Sequence, residues 1–288
     1  MSARHIRAMA PDDVDAVVAI ITDVDDEDGA EAATDFTEHG VDGHFVMTLG
    51  DDAAPAGVSG FRHVPATERT SWLSWTYLAR EHRGQGHGRA LIEHVVGYLR
   101  GARCRKVFVK VSDYVDPDEG PLYEAAIKTY ETLGFTRELT APDFHDEREN
   151  LMIYGLPLAG NAAGDGNDGE EAPDIAEERP ALEFVGLHEI DDSDGAYTFE
   201  WSAGRSSLLG KLGSLGKRAG FDKGDLMLGL EGVKRAGGRK VFLTFPSNLP
   251  AIHEPLKAAG FERIGQLDDY YERGLHELHF AHDLSGVP

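Results

Sequence analysis

The 288-residue chain predicts a mixed α/β fold: a mostly antiparallel central sheet flanked by helices, followed by a second, smaller α/β domain. Three observations carry this. Through residues 1–158, strand-like apolar runs alternate with runs of helical period. A glycine-rich turn, Arg83-Gly84-Gln85-Gly86-His87-Gly88, joins an aromatic strand-like run to an amphipathic helix. A stretch from 159 to 180, whose one large apolar residue is Ile175, separates this half from a second that echoes it.

The elements follow in order. Ile6 to Met9 reads as a first strand. Pro11 to Ile21 reads as a helix, with Pro near its start and Val14, Val17, Val18 and Ile21 at helical spacing. Residues 22–43 are acidic, with Asp23, Asp25, Asp26, Glu27 and Asp28 clustered, and a short second helix is expected around Glu31 to Glu38. His44 to Leu49 and Ala56 to His63 read as strands, with a turn beginning at Asp51-Asp52. Trp72 to Ala79 is the central strand. The helix after the glycine turn places Leu91, Val95 and Leu99 on one side, with Ile92 and Val96 beside them. Lys106 to Val111 is the next strand, a helix ends in Tyr130-Glu-Thr-Leu-Gly134-Phe135, and Leu151 to Tyr154 closes the unit.

A glycine turn between strand and helix is an anion cradle. Glycines let the backbone approach a phosphate, free N–H groups point at it, and the helix dipole favours negative charge. In this order and context, Arg83-x-x-Gly86-x-Gly88 followed by Tyr130-x-x-x-Gly134-Phe135 resembles the signature of the GNAT superfamily of N-acetyltransferases. The resemblance covers roughly residues 3–158. It implies the GNAT acyl-CoA N-acyltransferase fold, acetyl-CoA as acyl donor and a primary amine of a small molecule or peptide as acceptor. The amine would attack the thioester directly.

Residue by residue, the resemblance implies the following. Backbone N–H groups of Gln85, Gly86, His87, Gly88 and Arg89, within the turn that begins at Arg83 and Gly84, would hold the pyrophosphate, with Arg83 and Arg89 adding charge. Main-chain amides at the end of the central strand, Leu78, Ala79 and Arg80, would polarise the thioester carbonyl. Tyr130 would give a proton to the departing thiolate, whose thiol has a pKa near 8.5. A base must also leave the amine neutral, which costs ~4.6 kcal/mol at pH 7 for an amine of pKa near 10.4. Some relatives place a Glu on the strand after the pyrophosphate helix. Here that position is Lys110, which in its cationic form cannot serve. Asp113, Asp116, Asp118, Glu119, Glu68, His63, His82 or a water chain remain as alternatives. An Asn that many relatives use is also absent, with Tyr123 near its place. Acceptor recognition would fall to the acidic stretch 23–42, Trp72, Trp75, Tyr77 and Phe144-His145. Carboxylates with aromatics would suit a cationic amine; a solvated loop over core aromatics is the plainer alternative. An acyl-CoA-binding or regulatory module without transfer chemistry is the functional alternative.

Composition bounds the rest. The formal charge is −23, and of 28 basic residues nine are Lys and 19 Arg. Acid excess with little Lys suits a protein adapted to high salt, where screening removes self-repulsion. It argues against a broad nucleic-acid surface. No apolar run approaches the ~20 residues of a bilayer span, and the N-terminus lacks a signal-type apolar stretch, so a cytoplasmic protein without membrane attachment is expected. A homodimer is compatible with all of this. The single Cys104 excludes an internal disulfide, disfavours a cysteine zinc site, and reads as a small buried hydrophobe. No metal is expected.

Residues 159–180 are too poor in apolar side chains to offset their ordering entropy and read as a flexible linker. In residues 181–288, Gly238-Arg-Lys-Val-Phe-Leu-Thr-Phe245 resembles Cys104 to Val111, and Leu256-Lys-Ala-Ala-Gly260-Phe261 resembles Tyr130 to Phe135. The implication is a degenerate GNAT-like domain over 181–288. Its turn, Gly220 to Gly224, lacks the glycine order, and Tyr130 is matched by Leu256, Pro255 or His253. A basic island spans 201–240. The run Leu208 to Gly216 is too short and glycine-rich for a membrane-surface helix. His276-Glu-Leu-His279 reads as strand, so its zinc-box likeness carries little weight.

Overall fold

The computed structural model describes residues 3–50, 54–65, 67–117, 120–158, 182–191, 193–203 and 223–285. The expected linker, the Asp51-Asp52 turn, the start of the turn at Gly220, residues 204–222 of the basic island and the run Leu208 to Gly216 lie outside them. The first half contains β1 (Arg4–Ala8), α1 (Val14–Thr22), α2 (Asp26–His39), β2 (His44–Leu49), β3 (Gly57–His63), β4 (Thr70–Leu78), α3 (His87–Gly101), β5 (Lys106–Ser112), the short β6 (Val115–Asp116) and β7 (Gly120–Pro121), α4 (Glu124–Thr132), β8 (Thr136–Asp146) and β9 (Glu149–Pro157). The second contains β10 (Leu182–Glu189), β11 (Ala196–Ala203), α5 (Lys223–Ala236), β12 (Lys240–Pro246), α6 (His253–Ala258), β13 (Glu262–Glu272) and β14 (Leu275–Asp283). The larger sheet has the order β1-β2-β3-β4-β5-β9-β8 and the other β10-β11-β12-β14-β13. Strands β1 to β4 pair antiparallel, and β4 pairs β5 in parallel.

Local chemistry explains the elements. Pro11 opens a 3-10 turn before α1, and Asp13 closes it by accepting the Ala10 N–H at 2.8 Å and binding Arg7 at 2.6 and 2.8 Å. Helix α2 is longer than the expected Glu31–Glu38 segment because Asp25 caps it, accepting the N–H groups of Glu27 and Asp28 at 2.9 and 3.1 Å. Asp26, Glu27 and Asp28 then fill the first turn, where the helix dipole favours anions. Helix α3 buries Leu91, Ile92, Val95, Val96 and Leu99, the face that its period predicts. Strand β8 is an element that the sequence reading did not resolve. It is polar, carries Pro142, and holds Asp143 at a positive φ of 51°.

The chain divides into two compact units whose boundary is not a single point in sequence. Residues 3–110, 125–136 and 154–158 make the first; 111–124, 137–153 and the described residues from 182 onward make the second. In the first, Val17, Ile21, Ala32 and Phe36 of the helices meet Val46 and Val58 of the sheet in a core. The second has its own, including Leu226, Leu230, Val241, Leu243, Ile252, Leu256 and Phe280. Among the described residues no helix is long and apolar enough to cross a membrane.

Several hydrogen bonds recur along the chain. Phe135 N–H donates to Tyr130 O and Phe261 N–H to Leu256 O; Arg105 N–H donates to Arg69 O and Arg239 N–H to Gly195 O. Asp143 and Asp269 both sit at φ 51° and accept the N–H five residues on, from Arg148 and Gly274. Strands β5 and β12 share one burial pattern along their length.

One close approach gives a stability test. A Cβ on Gly60 would lie 2.1 Å from the buried His44 ring. Gly60→Ala should therefore cost about 1–3 kcal/mol through overpacking, read as a lowered urea midpoint with an unchanged slope.

Candidate active site

Strand β4 is interrupted. Opposite β3, Val58 pairs with Tyr77 but Gly60 pairs with Ser74, so β4 carries one extra residue. Trp75 absorbs the bulge at φ 44°, a costly conformation for a bulky side chain. On the other edge, parallel pairing with β5 covers Thr70–Lys106, Ser71–Val107 and Trp72–Phe108. Beyond Trp72 the register with β5 ends, and an opening forms between the two strands.

Helix α2 holds the bulge in place. Asp35 accepts the Trp75 indole N–H at 2.7 Å and an Arg62 N–H at 3.2 Å, and the Tyr77 hydroxyl donates to Asp28. Burial raises the Asp35 pKa, but the hydrogen bonds from Trp75 and Arg62 outweigh it, and the net position is below the ordinary carboxylate value. Gly29 lets α2 cross α1, since a Cβ there would lie 2.1 Å from Thr22 Oγ1. Asp23 binds the Arg80 guanidinium at 2.9 Å. The central carboxylates of the acidic stretch are thus tied to the fold.

The glycine turn has the geometry of a cradle. Gly84 and Gly86 adopt φ of 70° and 77°, and Gly86 caps α3. Among the described residues no backbone acceptor engages the N–H groups of Gln85, Gly86, His87, Gly88 and Arg89; the first helical bond runs from Ala90 N–H to Gly86 O at 3.2 Å. Gly88 packs close to Leu78, with 3.3 Å from an added Cβ to Leu78 Cδ1. Several cationic side chains here already have partners. Arg83 Nε donates to Leu78 O at 3.2 Å and Arg89 binds Glu93 at 2.8 Å. The His87 ring is buried, and burial first, then Arg4 and His82, lowers its pKa. At the strand end the Ala79 N–H donates to Ala56 O at 3.1 Å, which removes it from the amides open to a thioester carbonyl. Leu78 and Arg80 flank it.

Tyr130 is buried in α4, with its ring 5.6 Å from that of Phe135. Burial pushes its pKa up to about 12. A phenol of that pKa stays protonated at neutral pH and keeps its O–H as a hydrogen-bond donor.

Several candidate bases are engaged elsewhere or lie in the second unit. His63 bonds Ser71 Oγ at 2.8 Å and meets the Phe61 ring edge-on, on the sheet face opposite Trp72. Glu68 sits before β4 beside Arg69 and Arg105. His82 lies against His87. Asp113, in the second unit, accepts the Asn150 backbone and side-chain N–H groups at 2.7 and 2.6 Å, and Asp116 lies in β6. Asp118 and Glu119 are outside the described residues. Phe144 and His145 belong to the second unit, where Phe144 packs on Phe242. Two residues absent from the sequence reading do join the site. His44 Nε2 lies 3.2 Å from Ser74 Oγ, and burial, then Arg62, lowers the His44 pKa to about 4, so its ring is neutral. They are 30 positions apart, and the one sequence signal was a histidine opening an apolar strand. Cys104 is buried against Ser71 Oγ and the Arg69 carbonyl. Among the described residues no group of three or more His, Cys, Asp and Glu is placed to hold a metal.

A bulged strand, an adjoining splay and a glycine cradle at the next helix define a mixed α/β acyl-CoA-type transferase domain. Residues 19–135 match the model of the acetyltransferase (GNAT) family, and this part of the chain is a GNAT acetyltransferase domain, of the family that transfers acetyl groups from acetyl-CoA. Among solved structures, a GNAT-family protein from Desulfovibrio desulfuricans is 27% identical, with 55% of this chain and 100% of that one covered and a TM-score of 0.47. The ribosomal-protein-S18-alanine N-acetyltransferase of Escherichia coli is 20% identical over 57% and 100%, TM-score 0.44. An N-acetyltransferase from Staphylococcus aureus is 20% identical over 55% and 100%, TM-score 0.45. No match is found among curated proteins.

Asp35 gives a pH test. Its depressed pKa stabilises the fold above the unfolded carboxylate pKa, and that contribution is lost as pH falls through the folded value. Asp35→Asn should lose about 1–3 kcal/mol at pH 7, and the gap to wild type should narrow as pH approaches 3 in denaturant titrations.

Proposed function

We propose that the chain moves an acetyl group from acetyl-CoA directly to a primary amine of a small molecule or peptide. The observation that carries this is the pairing of an unengaged amide cradle, Gln85 to Arg89, with the β4–β5 opening that starts beyond Trp72. In this reading the diphosphate binds at the N-terminus of α3. The pantetheine arm runs into the opening, and the Leu78 and Arg80 region faces the thioester carbonyl. Tyr130 donates a hydrogen bond to the leaving sulfur, which its raised pKa favours over full ionisation. The amine loses its proton through water, a route that the engagement of His63 with Ser71 and of Glu68 with Arg105 supports.

We further propose that the second half is a degenerate GNAT-like domain that lacks transfer chemistry. The shared hydrogen bonds support it, and they align Tyr130 with Leu256, a buried core residue without a hydroxyl. A cytoplasmic, salt-adapted protein remains the reading of the composition.

Two measurements test the enzyme reading. Gly86→Val forces a β-branched residue into φ 77° and should raise the CoA Kd by ~10-fold or more in calorimetric titration, with the fold intact by circular dichroism. Tyr130→Phe should lower kcat about 100-fold at unchanged CoA affinity in a free-thiol release assay. Wild-type CoA binding without thiol release from any amine would favour the binding-module alternative.

A further inference from the structure

We propose that the acceptor carries an anionic group, a carboxylate or phosphonate, beside its amine, and that Lys110 selects it. The proposal rests on the acetyltransfer reading above and assigns the substrate class of that site.

The geometry begins with the two faces of the sheet. Arg62 stands opposite Trp72 in register and bonds Asp35 and the Gly40 carbonyl of the α2 end, so Trp72 faces the α1–α2 side. Phe45 and Phe61, of opposite parity, contact His94 and Tyr98 of α3. Helix α3 therefore occupies the other face, and an amine approaches the opening from the side of Trp72. Three side chains meet it there. Trp72 and Ser74 are half-buried on β4, and Lys110 is exposed on β5, two residues past the last paired position. The Lys110 ammonium lies 5.4 Å from the Trp72 ring centroid, and among the described residues no carboxylate pairs with it.

The charge beside Trp72 is a cation, Lys110. Asp23, Asp28 and Asp35 are tied to Arg80, Tyr77, and Trp75 with Arg62. With these three carboxylates engaged, the charged side chain shown against the Trp72 face is the Lys110 ammonium. A bare cationic amine would be repelled by Lys110. An acceptor with a carboxylate or phosphonate pairs that group with Lys110, rests its carbon skeleton on Trp72, and turns its amine toward the thioester. Ser74, hydrogen-bonded to neutral His44, supplies a polar contact without charge.

The test uses the full chain, acetyl-CoA and matched acceptor pairs: L-lysine with cadaverine, L-phenylalanine with phenethylamine, and aminoethylphosphonate with ethylamine. Free-thiol release should favour the anionic member of each pair, and the phosphonate arm separates that source from carboxylate. Lys110→Gln should raise the KM of anionic acceptors by ~10- to 100-fold while leaving the KM of acetyl-CoA unchanged. Lys110→Arg should restore most of the loss, and Lys110→Glu should shift preference toward the cationic members. Equal or better use of the anion-free amines, or an acceptor KM indifferent to Lys110→Gln, overturns the proposal while the enzyme reading stands. Turnover of neither member of any pair overturns both.

Discussion

The site depends on a strand that is prevented from pairing. An uninterrupted β4 would continue its ladder with β5 and leave no space for a thioester. The extra residue at Trp75, at φ 44°, breaks the register with β3, and the register with β5 ends three residues earlier, at Trp72. A tryptophan in that conformation is strained, and such strain persists where surrounding structure over-determines it. Here Asp35 fixes the indole N–H, Phe36 packs 6.5 Å from its ring, and Tyr77 is held by Asp28. The order of causation runs from α2 to the bulge and from the bulge to the opening.

This inverts the role of the acidic segment. As composition, the cluster from Asp23 to Asp28 reads as surface charge. In the structure it divides into distinct tasks: Asp25 caps a helix, Asp26 and Glu27 complement its dipole, and Asp23 and Asp28 reach β4 and the turn beyond it. Hydrogen bonds to ionised groups contribute more than neutral ones, so these contacts hold the site's geometry more firmly than solvated charges could. Of these carboxylates, Asp23 pairs with a cation, Arg80.

The residues that were legible share a local signal. Helix α3 buries the face its spacing predicts, and the turn Gly84–Gly86 takes the positive φ values that only glycine adopts cheaply. What the sequence concealed was set by contacts across long separations. The capping of α2 by Asp25 was available in principle, as an acidic residue before an acidic first turn, but a dense charge run masks its own start. Strand β8 hides because Asp143 and Pro142 are turn formers held in a strand by hydrogen bonds from Arg148 N–H and Lys240 Nζ to the Asp143 carboxylate. The Trp75 bulge leaves no trace, because positive φ is a signal read from Gly and Asn. The pairing of His44 with Ser74 requires the sheet register before it can be seen.

Lys110 belongs to both categories. Its position was readable as a departure from the acidic residue that relatives carry, and by itself that departure weakens the case for catalysis. The three-dimensional setting changes its meaning. In the proposal above, a lysine beside a tryptophan face, with Asp23, Asp28 and Asp35 engaged elsewhere, acts as a recognition device. Charge near a reacting amine has two effects that oppose each other: it repels the protonated form, and it depresses the amine pKa in the bound state. An anionic group on the same acceptor pairs with Lys110 and offsets both effects, so in the proposal above its gain is placement of the amine rather than a shifted pKa.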